Sequence, residues 1–161
     1  MRGKGAAALV LFAVLAGSAA AQTQAKVPDF SGTWKLDEAA STNVSPNMKG
    51  AVLVVEQKGD RIRVTPAPQG AGKILLAGEE IIADGQAYEK GVGGGKAVVT
   101  ARWSADRKSL ELETSGTEPV KKLKMLQIAR WSLSADRSTW LRETRTTGSG
   151  QPRFNRLVFC R

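Results

Sequence analysis

The run Phe30-Ser31-Gly32-Thr33-Trp34-Lys35-Leu36-Asp37 sets the tightest limit on what this chain can build. It follows Pro28 and reads as an extended segment, in which residues two apart face the same side. Gly32 and Trp34 therefore share a face. A glycine there lets a ring or a second backbone approach where a Cβ would intervene. The indole can then lie across the end of a rolled sheet and close it, burying a large apolar surface. The spacing predicts Gly32 and Trp34 as the structural stopper of a closed antiparallel sheet.

The remaining chain supplies strands for such a sheet. Ala51–Gln57, the turn Lys58-Gly59-Asp60 and the alternating Arg61-Ile62-Arg63-Val64-Thr65 read as a hairpin, with Ile62 and Val64 inward. Asp84-Gly85 reads as a turn between two further short strands. Residues 101–114 and 129–144 form a near repeat. Ala-Arg-Trp-Ser recurs at an offset of 28, and the segment after the turn recurs at 30, which places two extra residues in the second turn. Each copy reads strand–turn–strand, so consecutive hairpins of one meander explain the repeat. Arg153–Cys160 is expected to return to the first strand and remove both sheet edges. About ten short strands and no amphipathic helix predict an all-β, up-and-down barrel of about 8–10 strands. The Ser/Thr/Asn/Pro-rich stretch after Glu38 is expected to form a loop that covers the mouth.

The opening Asp-Phe-Ser-Gly-Thr-Trp-Lys-Leu-Asp, the Trp-Ser-x-Ser-x-Asp hairpin and the closing Arg156-Leu-Val-Phe resemble a family of secreted bacterial lipocalin-like (calycin-type) barrels of uncharacterised function. The resemblance spans residues 29–161. It implies that a late arginine packs over Trp34, with Arg156 the best match and Arg153 and Arg161 its competitors. The Gly-Thr-Trp opening is also that of avidin-like barrels. Lys35-Leu-Asp-Glu-Ala-Ala lacks the polar residues such a site would need after the motif.

Residues 1–21 have the pattern of a cleavable secretory signal: Arg2 and Lys4, apolar Ala6–Ala16, then Ala19-Ala20-Ala21 before Gln22. Those 11 apolar residues fall short of the roughly 30 Å hydrocarbon core of a bilayer. The expected organisation is a signal peptide at 1–21, a mobile polar tether at 22–29 and the barrel at 30–161, exported to the periplasm or beyond. After cleavage no transmembrane segment is expected. The single cysteine, Cys160, has no intrachain partner and reads as a small apolar residue on the last strand. It could alternatively bridge two chains.

Charge is uneven. Residues 22–100 carry 9 basic and 9 acidic side chains, residues 101–161 carry 13 and 6. For an exported chain this excess suits an anionic envelope surface rather than nucleic acid.

The chain contains no histidine, which removes the usual general base and zinc ligand, and one cysteine does not make a thiolate metal site. No catalytic residue, metal site or cofactor is therefore expected. Glu79, Glu80, Asp84 and Glu89 lack the alternating register of a calcium loop and read as a solvated face. Gly91–Gly95 lacks the Lys-Ser/Thr of a phosphate loop. Binding is the better expectation. The repeat maps Leu112 onto Arg142, which turns Arg142 inward beside Trp140; the parity of Leu126 and Ile128 carries Arg130 inward, and that of Phe154 and Val158 carries Arg156. These arginines, with Trp103, Trp131 and Trp140, form a candidate site for a small apolar or amphipathic ligand, including an anionic one held by a bidentate arginine. The alternative is a filled barrel whose basic C-terminal strands contact an anionic surface or a protein partner.

Overall fold

A computed structural model of the chain describes residues 26–67, 78–92, 95–117, 123–148 and 151–161. Ten strands account for most of them: β1 (Gly32–Thr42), β2 (Val52–Lys58), β3 (Arg61–Pro66), β4 (Glu79–Ile82), β5 (Asp84–Val92), β6 (Gly95–Trp103), β7 (Ser109–Thr117), β8 (Lys124–Leu133), β9 (Thr139–Thr147) and β10 (Arg153–Cys160). All pairings are antiparallel, in the order β4-β3-β2-β1-β10-β9-β8-β7-β6-β5. The last strand does return to the first, with Leu36 opposite Phe159. The only helical element among the described residues is a 3-10 turn, Pro46–Met48, in the β1–β2 connection. The loop expected directly after Glu38 starts later, because β1 runs on to Thr42 through a bulge opposite β10. Ser41 fills that bulge, its hydroxyl donating to the Asp37 carbonyl and accepting from the Val158 N–H.

The two edges of the sheet, β4 and β5, are adjacent in sequence and separated by Ala83 alone. The Asp84-Gly85 pair makes no hairpin between them. Gly85, at φ +78°, instead makes a bulge in β5, where Gly85 and Gln86 together oppose Ala101. Asp-Gly suits a bulge as well as a turn, since both need one residue with positive φ. Across the gap, Lys90 Nζ donates to the Glu80 carbonyl; on the other side of β4, the Ala83 N–H donates to the Asp60 carbonyl at 2.8 Å and extends the β3–β4 ladder. The result is an all-β, nearly closed barrel.

The two copies of the internal repeat are the β6–β7 and β8–β9 hairpins. In each turn a serine hydroxyl (Ser104, Ser134) donates to an aspartate (Asp106, Asp136) at 2.6 Å and accepts the N–H of the first residue of the next strand at 3.0 Å. An arginine takes positive φ in both, Arg107 at +57° and Arg137 at +59°. The turns are thus equal in length. The two extra residues, Ser132 and Leu133, lengthen β8 instead. An insertion of two keeps every side chain on its own face, which a single residue would not.

Directly opposed residues in antiparallel strands project to the same side, so the ladders define rows around the inner wall. Leu133, Trp140, Phe159 and Leu36 form the deepest row, with Trp34 beyond it on β1. Trp103, Leu110, Trp131, Arg142 and Leu157 form the next. Ala101, Leu112, Ala129, Thr144 and Asn155 follow, then Val99, Thr114, Gln127, Thr146 and Arg153. The wall turns from aromatic to polar along the barrel axis.

Candidate ligand cavity in the barrel

The closed end is held by a layered stack. Trp34 is fully buried, and its indole N–H donates to the Phe30 carbonyl at 2.8 Å. Arg161 is the late arginine that covers it, rather than Arg156 or Arg153. Its guanidinium lies 4.6 Å from the centroid of the Trp34 ring and donates to the Ser31 carbonyl at 2.9 Å. Gly32 is needed there for its backbone, at φ +135°, more than for room. A Cβ on it would meet Arg161 Nε at an ordinary 3.6 Å.

Above Trp34 the aromatic side chains interlock. Trp140 contacts Trp34, Phe30, Trp131 and Phe159 at centroid separations of 5.8, 5.9, 5.0 and 4.9 Å. Phe30 stacks on Trp103 at 6.3 Å. Trp103 lines neither the cavity at the mouth nor the smaller one at the β4–β5 gap. It sits on the closed side, where its indole N–H donates to Asp60 at 2.9 Å and ties β6 to the β2–β3 turn. Trp131 and Trp140 are both fully buried and form the floor of the upper half.

Arg142 stands on that floor, its guanidinium 4.3 Å from the Trp131 centroid and 5.3 Å from that of Trp140. Its counter-charge comes from the far wall: Glu79, on β4 with the parity of buried Ile81, reaches within 3.6 Å of it. Burial pushes the Arg142 guanidinium below its ordinary pKa, and the Glu79 carboxylate partly restores it. Arg142 Nε, the indole nitrogens of Trp131 and Trp140, and Asn155 Oδ1 are buried without a hydrogen-bond partner among the described residues. Such groups are rare in folded proteins and are where a bound polar group or water is sought.

Four residues above Arg142 on its strand, at Thr146 and roughly 13 Å at the strand repeat, the wall opens. A cavity of about 710 Å³ lies between the β1–β2 connection (Asn43, Ser45, Pro46) and the inner residues Met125, Thr146, Arg153 and Asn155. Gln127 faces inward by register yet is exposed, so solvent reaches the inner wall here. The loop after Glu38 thus borders the mouth. A smaller cavity of about 250 Å³ lies at the β4–β5 gap against Ile81, Tyr88, Lys90, Val99 and Ala101.

Arg130 and Arg156 are not in the barrel. Both belong to an outer row, Arg102, Glu111, Arg130, Glu143 and Arg156, in which charges alternate from strand to strand. Arg130 Nε donates to the Ser109 hydroxyl at 3.0 Å, and Arg156 to the Ala40 carbonyl at 3.3 Å. The inward parity failed because its markers, Ile128 and Phe154, are themselves exposed, at 50% and 49%. The acidic residues near β4 also part company. Glu79 turns inward, whereas Glu80 pairs with Arg61 and Arg63 outside, Asp84 accepts from the Tyr88 hydroxyl, and Glu89 lies 3.7 Å from Lys96. Among the described residues no group of three or more Asp, Glu, Cys or His is placed to hold a metal ion, and no helix is long and apolar enough to cross a membrane. Cys160 is a free thiol on the outer face of β10.

No protein-family model matches the chain, and no curated protein matches it in sequence. Two solved structures resemble it in shape. One is the zebrafish ileal bile acid-binding protein complexed with cholic acid, at 15% identity and a TM-score of 0.49, covering 82% of this chain and 98% of that one. The other is a secretory abundant heat soluble protein from Ramazzottius varieornatus, at 5% identity and a TM-score of 0.50, covering 81% and 93%. The second likeness is one of fold alone. The described residues form a lipocalin-like, ten-stranded β-barrel.

Proposed function

We propose that the barrel is a non-catalytic carrier for a small amphipathic ligand. Its polar group would sit at Arg142 and its remaining part would extend through the mouth cavity, whose mixed lining offers Pro46, Met125, Pro152 and Phe154 as apolar contacts among polar side chains. The observation that carries this reading is the arrangement beneath the mouth. A cation mounted on two buried indoles, three N–H groups without partners, and a cavity of about 710 Å³ lie on one inner wall. That volume falls within the roughly 300–1,000 Å³ of small-molecule sites. Because Glu79 already faces Arg142, an acceptor-bearing polar group such as a hydroxyl, amide or carbonyl binds without displacing it. An anionic group binds by competing with it. In this reading Arg142, Trp131 and Trp140 serve the ligand, while Gly32, Trp34 and Trp103 serve the closed end. The charge and apolar pattern of residues 1–21 supports export to the periplasm or beyond.

Titration calorimetry with decanol and with decanoate tests the proposal. Saturable one-to-one binding of either, weakened by Arg142→Met, supports it. Absence of saturable binding of both overturns it.

A further inference from the structure

The outer face of the open half carries a second, independent feature. On β8 the outward residues are Lys124, Leu126, Ile128 and Arg130; β9 adds Glu143 and Arg145, and β10 adds Phe154 and Arg156. Ile128, Arg145 and Phe154 stand directly opposite one another on these three strands. Ile128 is 50% exposed and Phe154 49%. On these three strands four cations share the face with a single carboxylate, Glu143, and β7 borders it with Glu111 and Glu113 opposite Arg130 and Ile128; none of the four cations is in an ion pair among the described residues. Exposed apolar side chains interleaved with cations suit a surface that is apolar below and anionic above.

We propose that this β8–β10 face docks on an anionic lipid bilayer, with Ile128 and Phe154 entering the interface and Arg145, Arg130 and Lys124 meeting the headgroups. Charge complementarity selects this occupant over a second copy of the chain, whose identical basic face would repel. Phe154 and Arg153 also border the mouth cavity, so docking sets the mouth beside the membrane. The inference stands apart from the carrier proposal, since Lys124, Ile128, Arg130 and Arg145 line no part of the mouth cavity and the vesicle test needs no ligand.

The test is cosedimentation of the whole protein with vesicles of phosphatidylcholine alone and of phosphatidylcholine with phosphatidylglycerol. Binding is expected only to the anionic vesicles, falling as salt is added. Arg145→Glu should weaken it on the order of tenfold or more, and Phe154→Ser severalfold. Arg63→Glu, on β3 in the opposite wall, makes the same change in net charge and should cost far less. All three positions are exposed, so the variants should keep the parent's circular dichroism. Absence of binding to the anionic vesicles, equal binding to neutral ones, or equal losses for Arg145→Glu and Arg63→Glu overturns the proposal.

Discussion

Arg142 and Glu79 meet across the barrel interior at 3.6 Å, joining β9 to the edge strand β4, which among the described residues has β3 as its only ladder partner. The pair sets both the stability of that edge and the selectivity of the cavity. Glu79 is 41% exposed and Arg142 19%, so solvent screens part of the interaction. Glu79→Gln should therefore cost only about 1 kcal/mol in urea unfolding. The same change removes the competitor for an anion, so decanoate affinity should rise severalfold while decanol affinity stays level. A fall in decanoate affinity would mean that Glu79 organises Arg142 rather than competing for it.

The closed end predicts a graded series. Arg161→Gln removes one cation–π contact and one charged hydrogen bond at an exposed position, for a loss of about 1 kcal/mol. Trp140→Ala empties the centre of the aromatic cluster and should cost roughly 3–5 kcal/mol, against the parent in the same urea series. An Arg161→Gln loss equal to that of Trp140→Ala would contradict the layered stack.

Acid stability follows from the twin turns. Asp136 is held down to about 2 from 3.8, first by the Ser134 hydroxyl and then by the backbone N–H and hydroxyl of Ser138. Asp106 is lowered in the same way by Ser104 and Lys108. A carboxyl depressed in the folded state contributes stability that is complete above its unfolded pKa and is lost as pH falls through the folded one. Stability should hold above about pH 4 and decline toward pH 2. Asp136→Asn should flatten that decline, which unfolding measured across the range will show.

How much of this was legible in the residues depended on depth in the barrel. Near the closed end the apolar-inward rule holds: Trp34 and Leu112 follow from alternation, and the β1–β10 closure from the need to remove the sheet edges. Toward the mouth polarity inverts: Gln127 and Arg153 face inward while Ile128 and Phe154 face out. The same rule then misplaced Arg130 and Arg156. Arg142 escaped this error because the repeat tied it to Leu112, deep in the apolar half. Glu79 gave one usable signal, its spacing of two from Ile81, but Ile82 beside Ile81 offered the opposite parity equally well. Arg161, the residue over Trp34, lies beyond the last strand, where alternation says nothing.

The most direct measurement follows the side-chain N–H resonances of the protein by NMR during titration with decanol. The indole N–H groups of Trp131 and Trp140 and the Nε–H of Arg142 should shift together with one dissociation constant. The Trp34 indole N–H, bonded to the Phe30 carbonyl, should stay in place. Shifts confined to the outer face, or a Trp34 signal that moves while the other three remain still, would contradict a ligand site above the aromatic floor.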